Sequence, residues 1–310
     1  MSDPVVTISD LAKQFAQGTL ALDGLELTLQ RGEFFGVVGP DGAGKTTLLR
    51  ILAGVLGYER GEVRIFGRSV NGKRGLQAVG YIPQRFSLYT DLTVAENLRF
   101  FAGVYPAPKK GRRSIEEMLE RIGLAPFRDR LAGALSGGMK QKLALLCSLV
   151  PSPDLLLMDE PTVGVDPVSR REFWSLVFEL QKEGVTILTS TPYMDEAEQF
   201  DRVALLNHGR ILRMGTTAQI KGSVPGILIE VHCEHPLQAR QVLRTQPEFT
   251  EVELFGGRVH VYQPSLENSA LERLQTLLSN HGIVTEELRV SPFSIEDVFL
   301  RIARQSEGIA

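Results

Sequence analysis

The residues with the clearest chemical purpose are Gly39, Pro40, Asp41, Gly42, Ala43, Gly44, Lys45, Thr46 and Thr47. Their spacing, G-x-x-x-x-G-K-[ST], turns successive backbone N–H groups inward on a polyphosphate. Lys45 is set to reach the β- and γ-phosphates, and the Thr46 hydroxyl to ligate Mg²⁺. Gly32 to Val38 precedes the loop and reads as a buried apolar strand. Thr46 to Ala53 follows as a helix, with Gly54 where a C-cap belongs, so the loop also gains the positive end of a helix dipole. Strand, glycine loop and helix is the setting the motif requires. Asp41 is the dissonant residue, because a carboxylate beside phosphates is repulsive unless its side chain points away.

Three further stretches carry chemistry of a compatible kind. Leu155 to Met158 is an apolar run ending in Asp159 and Glu160. It reads as a parallel strand whose C-terminal edge is where ligands sit in such sheets. Asp159 is positioned to hold Mg²⁺ through water, and Glu160 to polarise an attacking water. Ser136-Gly137-Gly138 opens an amphipathic helix and forms a second anion-binding helix N-terminus. One phosphate loop does not need two such devices, so this one is expected to serve the nucleotide of a second copy. Gln84 follows the strand Val79 to Ile82 and can reach a metal-bound water and a γ-phosphate from its edge.

The elements that must position these groups are legible around them. Val5 to Ile8 reads as a strand, as does the alternation at Leu25, Leu27 and Leu29, with Phe15 in the connection between the two. Phe15 is either a packing aromatic or a ring on which a nucleotide base stacks. Thr93 to Glu96 and Ser114 to Glu117 have capping-box spacing, so residues 85 to 150 read as a helical insertion into the nucleotide-binding fold. Asp166 and Pro167 are an N-cap and first-turn pair for a helix running through Trp174 and Leu180. Val185 to Thr191 is the next strand, followed by a short helix at Met194 to Glu198. Asn207 to Arg210 is a hairpin turn.

The composition frames the rest. With 310 residues, 43% hydrophobic and 23% charged, the chain has apolar mass enough for a substantial core. A formal net charge of −3 argues against non-specific nucleic-acid binding. Cys147 and Cys233 lack metal-ligand spacing, which favours a reducing compartment. No apolar run is long enough to span a bilayer, because Pro151 to Asp154 interrupts the best candidate.

In this order, the motifs over residues 1 to 221 resemble the nucleotide-binding domain of an ABC transporter. Phe15 stands at the A-loop position, Gly39 to Thr46 at Walker A, and Gln84 at the Q-loop. Leu135 to Gln141 is similar to the LSGGQ signature with Met139 in place of Gln; Leu155 to Glu160 is similar to Walker B, and Gly164 to Asp166 to the D-loop. Phe86 to Leu98 and Tyr193 to Glu198 resemble the drug-resistance, YbhF-like branch of ABC-2-type exporter ATPases. The resemblance implies an α/β P-loop NTPase with a RecA-like core, an antiparallel β subdomain and a helical subdomain. It also implies ATP and Mg²⁺ as cofactors, with Glu160, Gln84 and Lys45 catalytic. The partners implied are a second nucleotide-binding domain and separate ABC-2-type transmembrane permease subunits, with the chain peripheral on the cytoplasmic face of the membrane. One departure is chemical. The family's switch-loop His stands directly before Tyr193, where this chain has Pro192, which has neither side-chain donor nor N–H.

Residues 222 to 310 read separately as βαββαβ followed by a terminal helix from Ser294, a ferredoxin-like α+β domain. Gly256-Gly257 is its two-residue hairpin turn, and His232 and His260 read as ordinary strand residues. Two other functions compete with export: a soluble ABC ATPase acting on nucleic acid or the ribosome, and a regulator with slow hydrolysis.

Overall fold

The computed structural model describes residues 3–16, 18–70, 78–85, 87–105, 114–249, 251–264 and 270–307. Phe86, within the exporter-like stretch, lies outside them, as do residues 106–113 of the helical insertion. The chain divides into two compact units, Met1–Thr217 and Ala218–Ala310.

The first unit is built on two sheets. β1 (Val6–Gln14), β2 (Leu20–Leu29), β4 (Arg60–Ile65) and β5 (Arg68–Ser69) form an antiparallel sheet in the order β2-β1-β4-β5. β1 and β2 are longer than the sequence predicts. Register shifts between Ile8 and Leu11, with Asp10 at φ +48°, break the alternation on which the reading of β1 depends. The second sheet holds β3 (Phe34–Val38), β6 (Val79–Ile82), β7 (Leu155–Asp159), β8 (Thr186–Thr191), β9 (Arg202–Asn207) and β10 (Arg210–Gly215). Its order is β10-β9-β3-β8-β7-β6, parallel except for the last hairpin. β3, β7 and β8 are buried along their whole length, as a parallel sheet covered on both faces requires. In this order the C-terminal ends of β3, β7 and β8 lie side by side, and the functional loops leave from those ends.

α1 (Lys45–Leu52) follows β3 directly and buries Leu48, Leu49, Ile51 and Leu52 in the core shared by the two sheets. The helical insertion comprises α2 (Val94–Val104), α3 (Ile115–Arg121) and α4 (Gly137–Leu149), which share a core of Leu98, Leu119, Leu143 and Leu146. Both expected capping boxes form: Thr93 with Glu96, and Ser114 with Glu117. α5 (Pro167–Lys182) starts on Asp166, whose carboxylate accepts from the N–H groups of Val168 and Ser169. The segment expected as a helix at Met194 to Glu198 is a single 3-10 turn, Glu196–Gln199.

α6 (Thr217–Gly222) lies at the boundary between the units. The second unit contains β11 (Ile227–Cys233), α7 (Pro236–Arg244), β12 (Glu251–Phe255), β13 (Arg258–Gln263), α8 (Ala270–Asn280), β14 (Thr285–Ser291) and α9 (Ile295–Glu307). Its sheet runs β12-β13-β11-β14 with every neighbour antiparallel, the strand order of a ferredoxin-like unit. Ile229, Val231, Val259 and Val261 pack against Leu243, Leu274 and Leu278 on one face. The alternate residues of β11 and β13 point the other way. Glu230 stands opposite both His260 and Arg289. His260 is thus more than a strand residue: its Nδ1 lies 2.8 Å from Asp297 of α9.

Candidate functional site

The phosphate loop takes the shape its glycines allow. Gly44 sits at φ +109°, and a Cβ there would meet the carbonyl oxygen of Ala21 at 2.5 Å, so no other residue fits. Lys45 is buried, and its Nζ donates to the carbonyls of Gly39 at 2.7 Å and Pro40 at 2.9 Å. The same nitrogen lies 3.0 Å from Oε1 of Glu160. The lysine thus folds back over its own loop and neutralises the carboxylate opposite. Asp41 is exposed at the tip of the loop.

β7 delivers Asp159 and Glu160 to this point. Asp159 Oδ1 accepts from the Thr46 hydroxyl at 3.1 Å and from Ser190 at 2.8 Å, while Oδ2 is buried with no partner. Burial pushes the Asp159 carboxyl above its ordinary range, the hydrogen bonds from Ser190 and Thr46 oppose that rise, and neighbouring Glu160 adds to it. A carboxylate with one unmet oxygen, its other oxygen bonded to the Thr46 hydroxyl, fits a hard divalent cation with oxygen ligands. Glu160 adopts φ +49°, a region side chains rarely occupy, and the Ser190 hydroxyl accepts its N–H at 3.0 Å. Gln84 donates to Glu160 Oε2 at 2.8 Å, so both glutamate oxygens are held.

Lys45, Thr46, Gln84, Asp159 and Glu160 therefore meet in one place. Ser190 joins them, a residue that no motif in the sequence marks. Asp159 and Ser190 are register partners across β7 and β8. A serine one residue short of the end of a buried, threonine-rich strand carries no local mark of that pairing.

Ser136, Gly137 and Gly138 open α4 as expected. The Ser136 hydroxyl accepts the Met139 N–H at 3.3 Å, and a Cβ on Gly138 would come within 2.5 Å of Ser169. No bond joins Ser136 to the phosphate loop of the same chain in the hydrogen bonds among the described residues. Phe15 lies just beyond β1 and is 41% exposed, with the Lys13 ammonium 5.4 Å from its ring centroid. Pro192 follows β8, where Thr191 donates to Glu196 and accepts from Tyr193.

A parallel sheet, a lysine-bearing glycine loop and an acidic strand end define a P-loop NTPase; the helical insertion and Ser136-capped helix narrow the class. Residues 22–163 match the ABC transporter family. The probable multidrug ABC transporter ATP-binding protein YbhF of Escherichia coli (strain K12) is 47% identical over 230 residues, which cover 73% of this chain and 40% of that protein. The chain thus spans about two fifths of that relative's length. Nod factor export ATP-binding protein I of Rhizobium sp. (strain N33) is 34% identical over 307 residues, 97% of this chain and 98% of that one. The dimeric post-hydrolysis ATP-binding cassette MJ0796, solved with ADP and Pi, superposes with a TM-score of 0.61 at 26% identity, covering 68% of this chain and 98% of its own. The chain belongs to the ABC transporter ATP-binding protein family.

Proposed function

We propose that the chain binds and hydrolyses ATP as the energising subunit of an ABC-2-type exporter, on the cytoplasmic face of a membrane that separate permease subunits cross. The observation that carries this reading is the buried Lys45–Glu160 pair beside the unpartnered Oδ2 of Asp159. It is a charge arrangement completed by a polyphosphate and a cation. Relatives named for multidrug transport and Nod factor export support export over a soluble role on nucleic acid or the ribosome.

Binding follows from the geometry. An arriving triphosphate competes with Glu160 and with the Gly39 and Pro40 carbonyls for Lys45, and with its greater charge draws the ammonium away. Gly39, Pro40, Asp41, Gly42, Ala43, Gly44 and Thr47 supply the backbone cradle, and Phe15 a face for the base. Thr46 and Asp159 would hold Mg²⁺, with Gln84 reaching its water; when bound, the ion neutralises charge on the β- and γ-phosphates. Glu160, released by Lys45, accepts the proton of the attacking water. Ser136, Gly137 and Gly138 of a second copy, with Asp166 beside them, close the pocket from the far side. ATP then bridges two subunits and its hydrolysis releases them.

Coupling to the permease is assigned to the segment after Gln84. Buried Asn97 clamps it, accepting from the Tyr89 N–H at 3.1 Å and donating to the Tyr89 carbonyl at 3.0 Å. Clamped this way, Tyr89 presents its ring edge-on to Phe100, and both are exposed at 46% and 42%. Such an aromatic pair is suited to receive an apolar helix. Among the described residues no helix is long and apolar enough to cross a membrane.

The test is Glu160→Gln. ATP binding should persist and an ATP-bound dimer accumulate, while hydrolysis falls about 10³-fold. An unchanged hydrolysis rate would remove Glu160 from its role. Pro192 keeps the second reading in play, a nucleotide-driven regulator with slow turnover, and measured ATPase activity separates the two.

A further inference from the structure

A second acid is buried among the segments that follow Glu160 and β8. Glu196 is 1% exposed. Its Oε1 accepts from the Thr162 hydroxyl at 2.7 Å and from Trp174 Nε1 at 3.0 Å, and its Oε2 accepts from the Thr191 hydroxyl at 2.5 Å. The Arg170 Nε approaches to 3.8 Å, with its guanidinium 4.3 Å from the centroid of the Tyr193 ring. We propose that Glu196 is a positioning residue that ties the loop leaving Glu160 to the loop carrying Pro192, so that both move as one body with α5. This inference rests on the ATPase reading above.

The donor set makes the case. Thr162 lies two residues after Glu160, in the segment that runs to the Asp166 cap of α5. Thr191 ends β8 immediately before Pro192. Trp174 and Arg170 belong to α5 itself. Filling one cavity needs no charge, and burying a carboxylate is costly unless it is well paired. Here the pairing joins the segments that flank the reacting centre.

The hydrogen bonds also have a direction. The Thr191 hydroxyl accepts the Tyr193 N–H at 3.0 Å, so its own proton is committed to Glu196. Tyr193 N–H, Thr191 and Glu196 therefore form a chain, and Thr162 enters it from the other side. An amide at position 196 keeps one acceptor and turns the other into a donor facing Thr191, which already has its proton pointing there. Tyr193 and Pro192 lose their anchor while the core keeps its volume. Where the switch position offers no side-chain donor of its own, the backbone around it must be fixed from behind.

The experiment uses the full chain with its membrane partners. Glu196→Gln should lower kcat for ATP about 10- to 10²-fold, the scale of a displacement of about 1 Å away from the chemistry, with KM and equilibrium ATP binding within about twofold of the parent. Thr162→Val and Thr191→Val, which keep side-chain shape, should each lower kcat. Their double variant should fall no further than Glu196→Gln, since all three break one link. A folded Glu196→Gln protein with parental kcat would overturn the proposal. So would a loss of kcat matched by equal losses in ATP binding and thermal midpoint, or Thr162→Val and Thr191→Val effects that simply multiply. Should Glu196→Gln not fold, the two valine variants decide by the same criteria. Glu160→Gln runs alongside: if it hydrolyses ATP at the parental rate, the ATPase reading itself fails, whereas an inert Glu160→Gln beside a fully active Glu196→Gln removes only this proposal.

Discussion

Asp159 and Asp297 are both fully buried carboxylates, one at the mouth of the phosphate loop and one at the start of the last helix, and their surroundings treat them oppositely. Asp297 has every valence met. Its Oδ1 faces His260 Nδ1 at 2.8 Å and accepts from the Tyr262 hydroxyl at 2.8 Å, while Oδ2 accepts from the N–H and hydroxyl of Ser294. Burial works to raise its pKa, but the bonds from His260, Ser294 and Tyr262 outweigh burial and hold it below the ordinary range. Asp159 has one oxygen bonded and one bare, and there burial wins. Glu230 follows Asp297: burial raises it, and Arg258, Arg289 and His232 more than offset that, leaving it at about 2. A completed cluster is a joint; on the function proposed above, the incomplete one is the binding site and the ligand supplies its missing partner.

The contrast is broken most directly by removing each acid. Asp297→Ala strands the groups that point at it and should cost about 3–5 kcal/mol. Asp159→Asn keeps an acceptor for Thr46 and Ser190, lifts the repulsion from Glu160, and should change stability by less than about 1 kcal/mol while abolishing ATP turnover. Urea unfolding of the full chain checks both. The single tryptophan, Trp174, reports the first unit, and circular dichroism reports the whole. Equal losses for the two variants would dissolve the distinction.

A second test adds to the open cluster a group it lacks. If a donor to the γ-phosphate is missing at position 192, Pro192→His should raise ATP turnover by up to about 10²-fold, the value of one preorganised donor at a transferring group. Steady-state hydrolysis with saturating ATP reads it. No change would mean that the site does not lack a donor there.

How much of this was legible in the sequence depended on how local the signal was. The phosphate loop, both capping boxes and the Asp166-Pro167 helix start are complete within a few residues, and the fold reproduces each. The sequence of β1 reads as a shorter strand because its bulge spoils the two-residue period. Ser190 and Glu196 were illegible for a different reason. Ser190 acts through Asp159, 31 residues away, and Glu196 joins Thr191 to Trp174 and Thr162, the last 34 residues away, so that their adjacency follows only from the sheet order. His260 is the same case in the second unit, since its partner Asp297 lies 37 residues on, in a different element.

A last test sets the two clusters against each other in a single titration. Glu230 falls from 4.5 in the unfolded chain to about 2 when folded, so between those values the unfolded chain binds more protons. Its stabilisation is present above pH 4.5 and drains away as pH falls toward 2. Asp159 has the opposite sign. Its folded value lies above 3.8, so the folded chain holds a proton the unfolded chain has released, and that contribution is lost as pH rises through the raised value. Glu230→Gln should therefore flatten the acid limb of the stability profile. Asp159→Asn should instead remove a decline on the alkaline side of 3.8 and leave the nucleotide-free protein relatively more stable at neutral pH. Urea midpoints of the two variants across that range, without nucleotide, give the comparison. If both shift the profile in the same direction, unmet valence at Asp159 is not what separates the site from the joint.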